Sequence, residues 1–366
     1  MRIRRRLPIL IGVVLVIAAL ALVVQLRKHA PPEPARLLPA ADAFLYVNLS
    51  RVRWANAVSQ LPAVSHDPDY ERFIQETGFQ FERDLDRAAV AVHYPPNWSG
   101  KAQPGSPDQP RFSEVFEGSL HAEKLTAYLR KMSRIVENYR SVEIFNISIE
   151  NRTLRVALLG VDTVAASNHD DPSVIRGMID RSRKLASPFA GPAFLRQYYK
   201  YVPSTLPVPT LAWGIVKVEN SSPQSPFANG FWPSLFSKPA VIVISARYVT
   251  ALHLKAEAFT HDAEEARRVT ESASTFLSVF HAAEQSASGQ GTDADAKKFF
   301  ESLKVEQHDD RAELSANLPA GFIRKLFSEA PPLVSPPQPE PSNPSPAPPS
   351  NKRGKKHPSP SGAAEK

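Results

Sequence analysis

Leu7 to Leu26 is an unbroken run of twenty uncharged residues, LPILIGVVLVIAALALVVQL, and nothing else in the 366-residue chain constrains it as much. As a helix rising about 1.5 Å per residue, the run would extend roughly 30 Å, the hydrocarbon thickness of a bilayer. It predicts a single-pass transmembrane helix over residues 7–26. Residues 1–6 carry four arginines, whereas only Arg27 and Lys28 follow the run directly, so the positive-inside rule keeps the N-terminus cytoplasmic. The rest of the chain is then extracytoplasmic. Ala19-Leu20-Ala21 offers a competing reading as a signal-peptide cleavage site, but Leu22, Val23 and Val24 carry the apolar run past it.

No cysteine is present, so neither a disulfide nor a lipidated cysteine can hold the exported part, and its stability must come from an ordinary core. The net charge of +7 and pI near 9.5 invite a nucleic-acid reading. The position of the charge argues against it. Residues 1–30 hold six basic and no acidic side chains, and the last 36 residues hold a net of three more, which leaves −2 for residues 31–330. No nucleic-acid partner is expected.

Residues 27–39 form a proline-rich spacer. Phe44 to Leu49 reads as a strand, and Asp67-Pro68 caps a helix ending at Gly78. Strands over Arg87–Tyr94 and Phe112–Leu120 flank a proline-rich loop. A helix over His121–Asn138 carries Leu125, Leu129, Met132, Ile135 and Val136 on one stripe. A hairpin around Asn151-Arg152 and a helix after Asp171-Pro172 follow. In the second half, strands over Thr210–Val218, Ala240–Arg247 and Val249–Glu257 precede a helix over Asp262–Glu284. Its start resembles a capping box, and Ala266, Val269, Ala273, Phe276 and Leu277 lie on its apolar face.

FSEVFEGSLHAEKLTAYLRKM and VTALHLKAEAFTHDAEEARRV share an order of strand, turn and amphipathic helix, and a strand-turn-strand segment follows each. The expected fold class is α+β: an N-terminal transmembrane helix, then a tandem duplication of antiparallel sheet units over 40–190 and 191–330 with helices on one face. Residues 331–366, with 12 prolines and no apolar periodicity, are expected to form a disordered tail.

Four histidines precede an aspartate, at His66-Asp67, His169-Asp170, His261-Asp262 and His308-Asp309. These positions suit helix caps and a turn better than metal ligands, and no HExxH is present. GxSxG, GxxxxGK[ST] and GxGxxG are absent too. No cofactor is expected and no enzyme, although Asp84, Asp86 and Glu117 could meet only in the fold. The sequence offers two candidate contact sites instead. Ser225 to Phe236 gathers Phe227, Phe231, Trp232 and Phe236, which either plug the end of a sheet or meet a protein partner or the bilayer. Lys352, Arg353, Lys355 and Lys356 in the tail could meet anionic envelope polymers or lipid head groups.

Pro39-Ala40-Ala41-Asp42-Ala43-Phe44-Leu45-Tyr46-Val47, just after the anchor and spacer, resembles the Pro-Ala-Asp-Ala opening of uncharacterised bacterial extracytoplasmic proteins. Leu159 to Arg181 is similar to a later strand-then-helix segment of theirs. The resemblance implies a bacterial, membrane-tethered, exported domain and carries over no site residue. The resulting expectation is an inner-membrane protein, N-terminus inside, whose periplasmic part is a binding or assembly module with a protein partner in the envelope. An envelope hydrolase and a component of a secretion or pilus machine are the alternatives.

Overall fold

The computed structural model places β1 (Ala43–Asn48) in the middle of the fold and describes residues 30–54, 66–95, 109–149, 151–183, 191–203, 210–218, 235–249, 251–287 and 294–322. Phe44 and Tyr46 of β1 point into a core while Leu45, between them, points the other way. Both edges of β1 are hydrogen-bonded. It runs antiparallel to β2 (Leu85–His93), with Phe44 opposite Ala91, and antiparallel to β8 (Thr210–Val218), with Phe44 opposite Ile215.

Between β2 and β8 in the chain come β3 (Arg111–Gly118), β4 (Ile135–Tyr139), β5 (Val142–Ile149), β6 (Arg152–Leu158) and β7 (Thr163–Ser167). After β8 come β9 (Ala240–Tyr248), β10 (Ala251–Phe259), β11 (Lys304–His308) and β12 (Arg311–Pro319). All twelve form one antiparallel sheet in the order β11-β12-β10-β9-β8-β1-β2-β3-β7-β6-β5-β4.

This sheet corrects the expected fold class. Residues 40–190 and 191–330 do not make two tandem sheet units, because β1 and β8 share a ladder and their strands form a single sheet. An edge strand leaves a row of backbone N–H and C=O groups unpaired, and β1 and β8 satisfy one another's. Nor are the helices confined to one face. Along antiparallel ladders, directly opposed residues point to the same side of the sheet. On one side Phe44, Ala89, Val115, Ala165 and Ile215 pack against Leu37 of α1 (Glu33–Leu37), Ile179 of α6 (Ser173–Ser182) and Leu195 of α7 (Ala193–Tyr199). On the other, Phe145, Val156 and Val164 meet Leu125 and Leu129 of α5 (Ala122–Met132). At the far end of that second face, Ile242, Ala258 and Ala312 meet Val269 of α8 (Ala263–Ala287). The remaining helices are α2 (Leu49–Trp54), α3 (Pro68–Thr77), α4 (Phe81–Asp84) and α9 (Ala294–Ser302).

Local signals act where the sequence puts them. Asp67 accepts hydrogen bonds from the backbone N–H groups of Asp69 and Tyr70 at the start of α3, and Gly78, at φ 72°, stops that helix. The helix expected over His121–Asn138 ends at Met132. Ser133 turns extended, its hydroxyl donates to the Leu129 carbonyl at 2.6 Å, and Ile135 and Val136 form the edge strand β4 against β5. Two adjacent β-branched residues favour that outcome.

Residues 7–26, the anchor of the sequence reading, lie outside the described residues, as do most of the spacer's start and the whole tail. Among the described residues no helix is long and apolar enough to cross a membrane.

Candidate functional site

Two carboxylates fix the start of α8. Asp262 accepts from the Glu265 backbone N–H at 2.8 Å and takes the Lys238 ammonium at 2.6 Å. Glu265, 1 % exposed, accepts from the Ser237 backbone N–H at 2.9 Å and the Ser237 hydroxyl, and pairs with Arg268 one turn on. The helix is thereby clamped to the chain entering β9. Ala266 and Val269 are accordingly buried.

Further along, α8 runs chiefly against β11 and β12. A cleft of about 360 Å³ remains between the helix and the sheet. Ile242 and Ile244 of β9, Ala256 and Ala258 of β10, and Phe276 and Leu277 of α8 line it. The alanines make the space, since a branched side chain at either position would reach into it. Among the described residues Glu313 is the one charged residue in the lining. At the mouth, Phe276 is 46 % and Ile244 is 42 % exposed. Ile244 stands opposite Gly214, and Gly214 opposite Leu45, which is 47 % exposed. The missing side chain at Gly214 lets the cleft continue as a shallow apolar strip onto the middle of the sheet.

Chemically this is a site for carbon. It offers a ligand dispersion contacts and displacement of water, with almost no hydrogen bonding. Phe236 from the aromatic segment is 2 % exposed and forms part of its wall. Phe227, Phe231, Trp232, Lys352, Arg353, Lys355 and Lys356 lie outside the described residues. The apolar stripe of α8 was readable in the sequence, but the two isoleucines and two alanines that make the cleft carry no motif.

Other groups that could carry chemistry are held apart. Asp84 is bonded to Arg83, and Asp86 to Arg53 at 2.6 Å. Glu117 stands 2.6 Å from Arg87 Nε, yet the geometry is not that of a hydrogen bond, so the pair is joined by charge alone. Burial pushes the Glu117 carboxyl up to about 7, with Arg87 opposing. His93 sits 3.3 Å from Ser113 Oγ and packs edge-on against His169. Its imidazole is pushed down to about 4 by burial and then by His169. Of the histidine–aspartate pairs, Asp67 and Asp262 cap helices. Asp170 pairs with Arg111, and the neighbouring Asp171 bonds the Ser173 backbone. Among the described residues no three His, Asp or Glu side chains converge to hold a metal ion.

No protein-family model and no curated protein matches the chain. Crystal structures of TP0453 are similar in part. Form III shares 10% identity over 81% of this chain and 97% of that one, with a TM-score of 0.44. Form I shares 9% over 82% and 97%, with a TM-score of 0.42. Likeness at this level establishes neither the fold nor the function of the present chain.

Proposed function

We propose that the chain is a membrane-tethered, extracytoplasmic, non-catalytic binding module whose cleft beneath α8 holds the aliphatic chain of a lipid or lipid-modified peptide. The observation that carries this reading is a cleft of about 360 Å³ with one charged lining residue among the described residues and an exposed apolar mouth. A polar ligand would leave its own groups unsatisfied there, at about 1–3 kcal/mol each. An aliphatic chain instead gains roughly 0.8 kcal/mol for each methylene buried. The apolar run of residues 7–26 supports a bacterial inner-membrane location with the N-terminus inside, which sets the module beside a source of acyl chains.

The test uses the full chain in native membranes and a palmitate analogue bearing a photoactivatable group near its methyl end. After illumination, labelled peptides should come from β9 around Ile242–Ile244 and from α8 around Ala273–Leu277. Ala258→Trp, which fills the cleft, should abolish both labels. Label confined to residues 7–26 would overturn the proposal.

A further inference from the structure

The opposite face of the sheet holds a second recess with a different chemistry, independent of the cleft. Lys217 of β8, Val241 of β9, Phe259 of β10 and Arg311 of β12 stand in one register row and point to the same side. α7 and the turn after it bring Phe194, Tyr198, Lys200 and Tyr201 to this row. With Lys217, Val241 and Phe259 they line a recess of about 500 Å³, open to solvent.

Rings build the walls. Tyr198 packs against Phe194 at 5.3 Å and Phe259 at 5.4 Å, and Tyr201 meets Phe259 at 4.3 Å. Cations are spread over the rings. Lys200 Nζ lies 4.8 Å above Tyr201 with no carboxylate of the described residues in ion-pair reach, and Lys217 Nζ lies 4.8 Å above Phe194 with Asp42 at 3.8 Å. Arg311 lies over both Tyr201 and Phe259 and reaches Glu257 at 3.5 Å. Gln197 and His261 add polar groups to the lining, and among the described residues Asp310 is its acidic one. A purely apolar ligand would desolvate the lysines without compensation, and a cation would meet like charge. The combination of ring faces, polar rim and under-neutralised ammonium groups fits a molecule with carbon faces, hydroxyls and an acidic group.

We propose that this recess binds an acidic saccharide, its ring against Tyr198 and Phe259 and its carboxylate at Lys200 and Lys217. The site differs from the cleft in face, lining and ligand class, so either can fail alone.

The experiment is calorimetric titration of the full chain, held in amphipol, with trigalacturonate. Its methyl ester, triglutamate and inorganic phosphate serve as controls. Trigalacturonate should saturate a single site, and Lys200→Gln and Tyr198→Ala should each weaken it by about tenfold or more. Lys200 is exposed and bonded to no other side chain among the described residues, so its replacement leaves the fold intact. The ester should bind at least about tenfold more weakly, and Ala258→Trp should change nothing. The proposal is overturned by no saturable binding, by equal binding of the ester, by displacement with triglutamate or phosphate at matched charge, or by an unchanged affinity in Lys200→Gln.

Discussion

Trp213 of β8 stacks on Tyr46 of β1 with ring centroids 5.5 Å apart and planes 16° apart, both rings buried where the two strands meet. Its indole Nε1 is buried with no hydrogen-bond partner among the described residues, so the residue holds the sheet by area and stacking. Trp213→Ala should cost about 3–5 kcal/mol in urea unfolding. Trp213→Phe, which also removes the unsatisfied N–H, should cost under about 1.5 kcal/mol. A larger loss for the phenylalanine variant would mean that the indole nitrogen is satisfied. Two titratable groups, the half-buried His93 and the buried Glu117, set opposite pH slopes. His93 falls from its ordinary 6.5 to about 4, so the unfolded chain binds the extra proton between those values and stability drops as pH falls through them. Glu117 rises from 4.5 to about 7, so the folded chain keeps its proton longer and stability drops as pH rises through that window. The two contributions nearly cancel in the wild type, so in unfolding free energies measured from pH 4 to pH 8 Glu117→Gln should unmask a stability that rises with pH, and His93→Gln one that falls.

At the scale of elements, much was legible in side-chain pattern and some was not. Asp67, Gly78 and Asp262 marked helix ends correctly because a cap is a local bargain between one side chain and the nearest free N–H groups. The alternation in β1 and the stripe of α8 were equally readable. Pairing of β1 with β8 was not, since ladder hydrogen bonds join backbone groups that every residue has. The cleft escaped for a related reason. It depends on volume left empty by Ala256 and Ala258, and an alanine on a strand announces nothing about what stands above it. The Glu265 clamp, which the capping-box pattern half disclosed, carries its own prediction. Glu265→Ala leaves the Ser237 N–H and the Arg268 guanidinium without their acceptor and should destabilise the chain by about 2 kcal/mol. It should also raise hydrogen exchange in the first turns of α8 before that of α5. Equal exchange in the two helices would show that the clamp does not fix α8.

For the whole molecule, one core crosses the β1–β8 seam, with Phe44, Ala89 and Val115 on one side of it and Trp213, Ile215 and Val243 on the other. A fragment ending at residue 203 would bare the β1 edge and half of that core, and should be recovered unfolded or aggregated, as judged by near-ultraviolet circular dichroism and light scattering. A well-folded monomer would contradict the single-sheet account. The two proposed sites lie on opposite faces of the same sheet, a carbon-lined cleft on one and a cationic aromatic recess on the other. The most direct measurement is the affinity of the full chain in amphipol for a series of straight-chain primary alcohols, read by displacement of a neutral polarity-sensitive dye. Binding should tighten by about fourfold per added methylene, the equivalent of roughly 0.8 kcal/mol, until the cleft is full, and Ala258→Trp should abolish it. An affinity that stays flat along the series, or is the same in Ala258→Trp, would contradict the assignment of the cleft to an aliphatic chain.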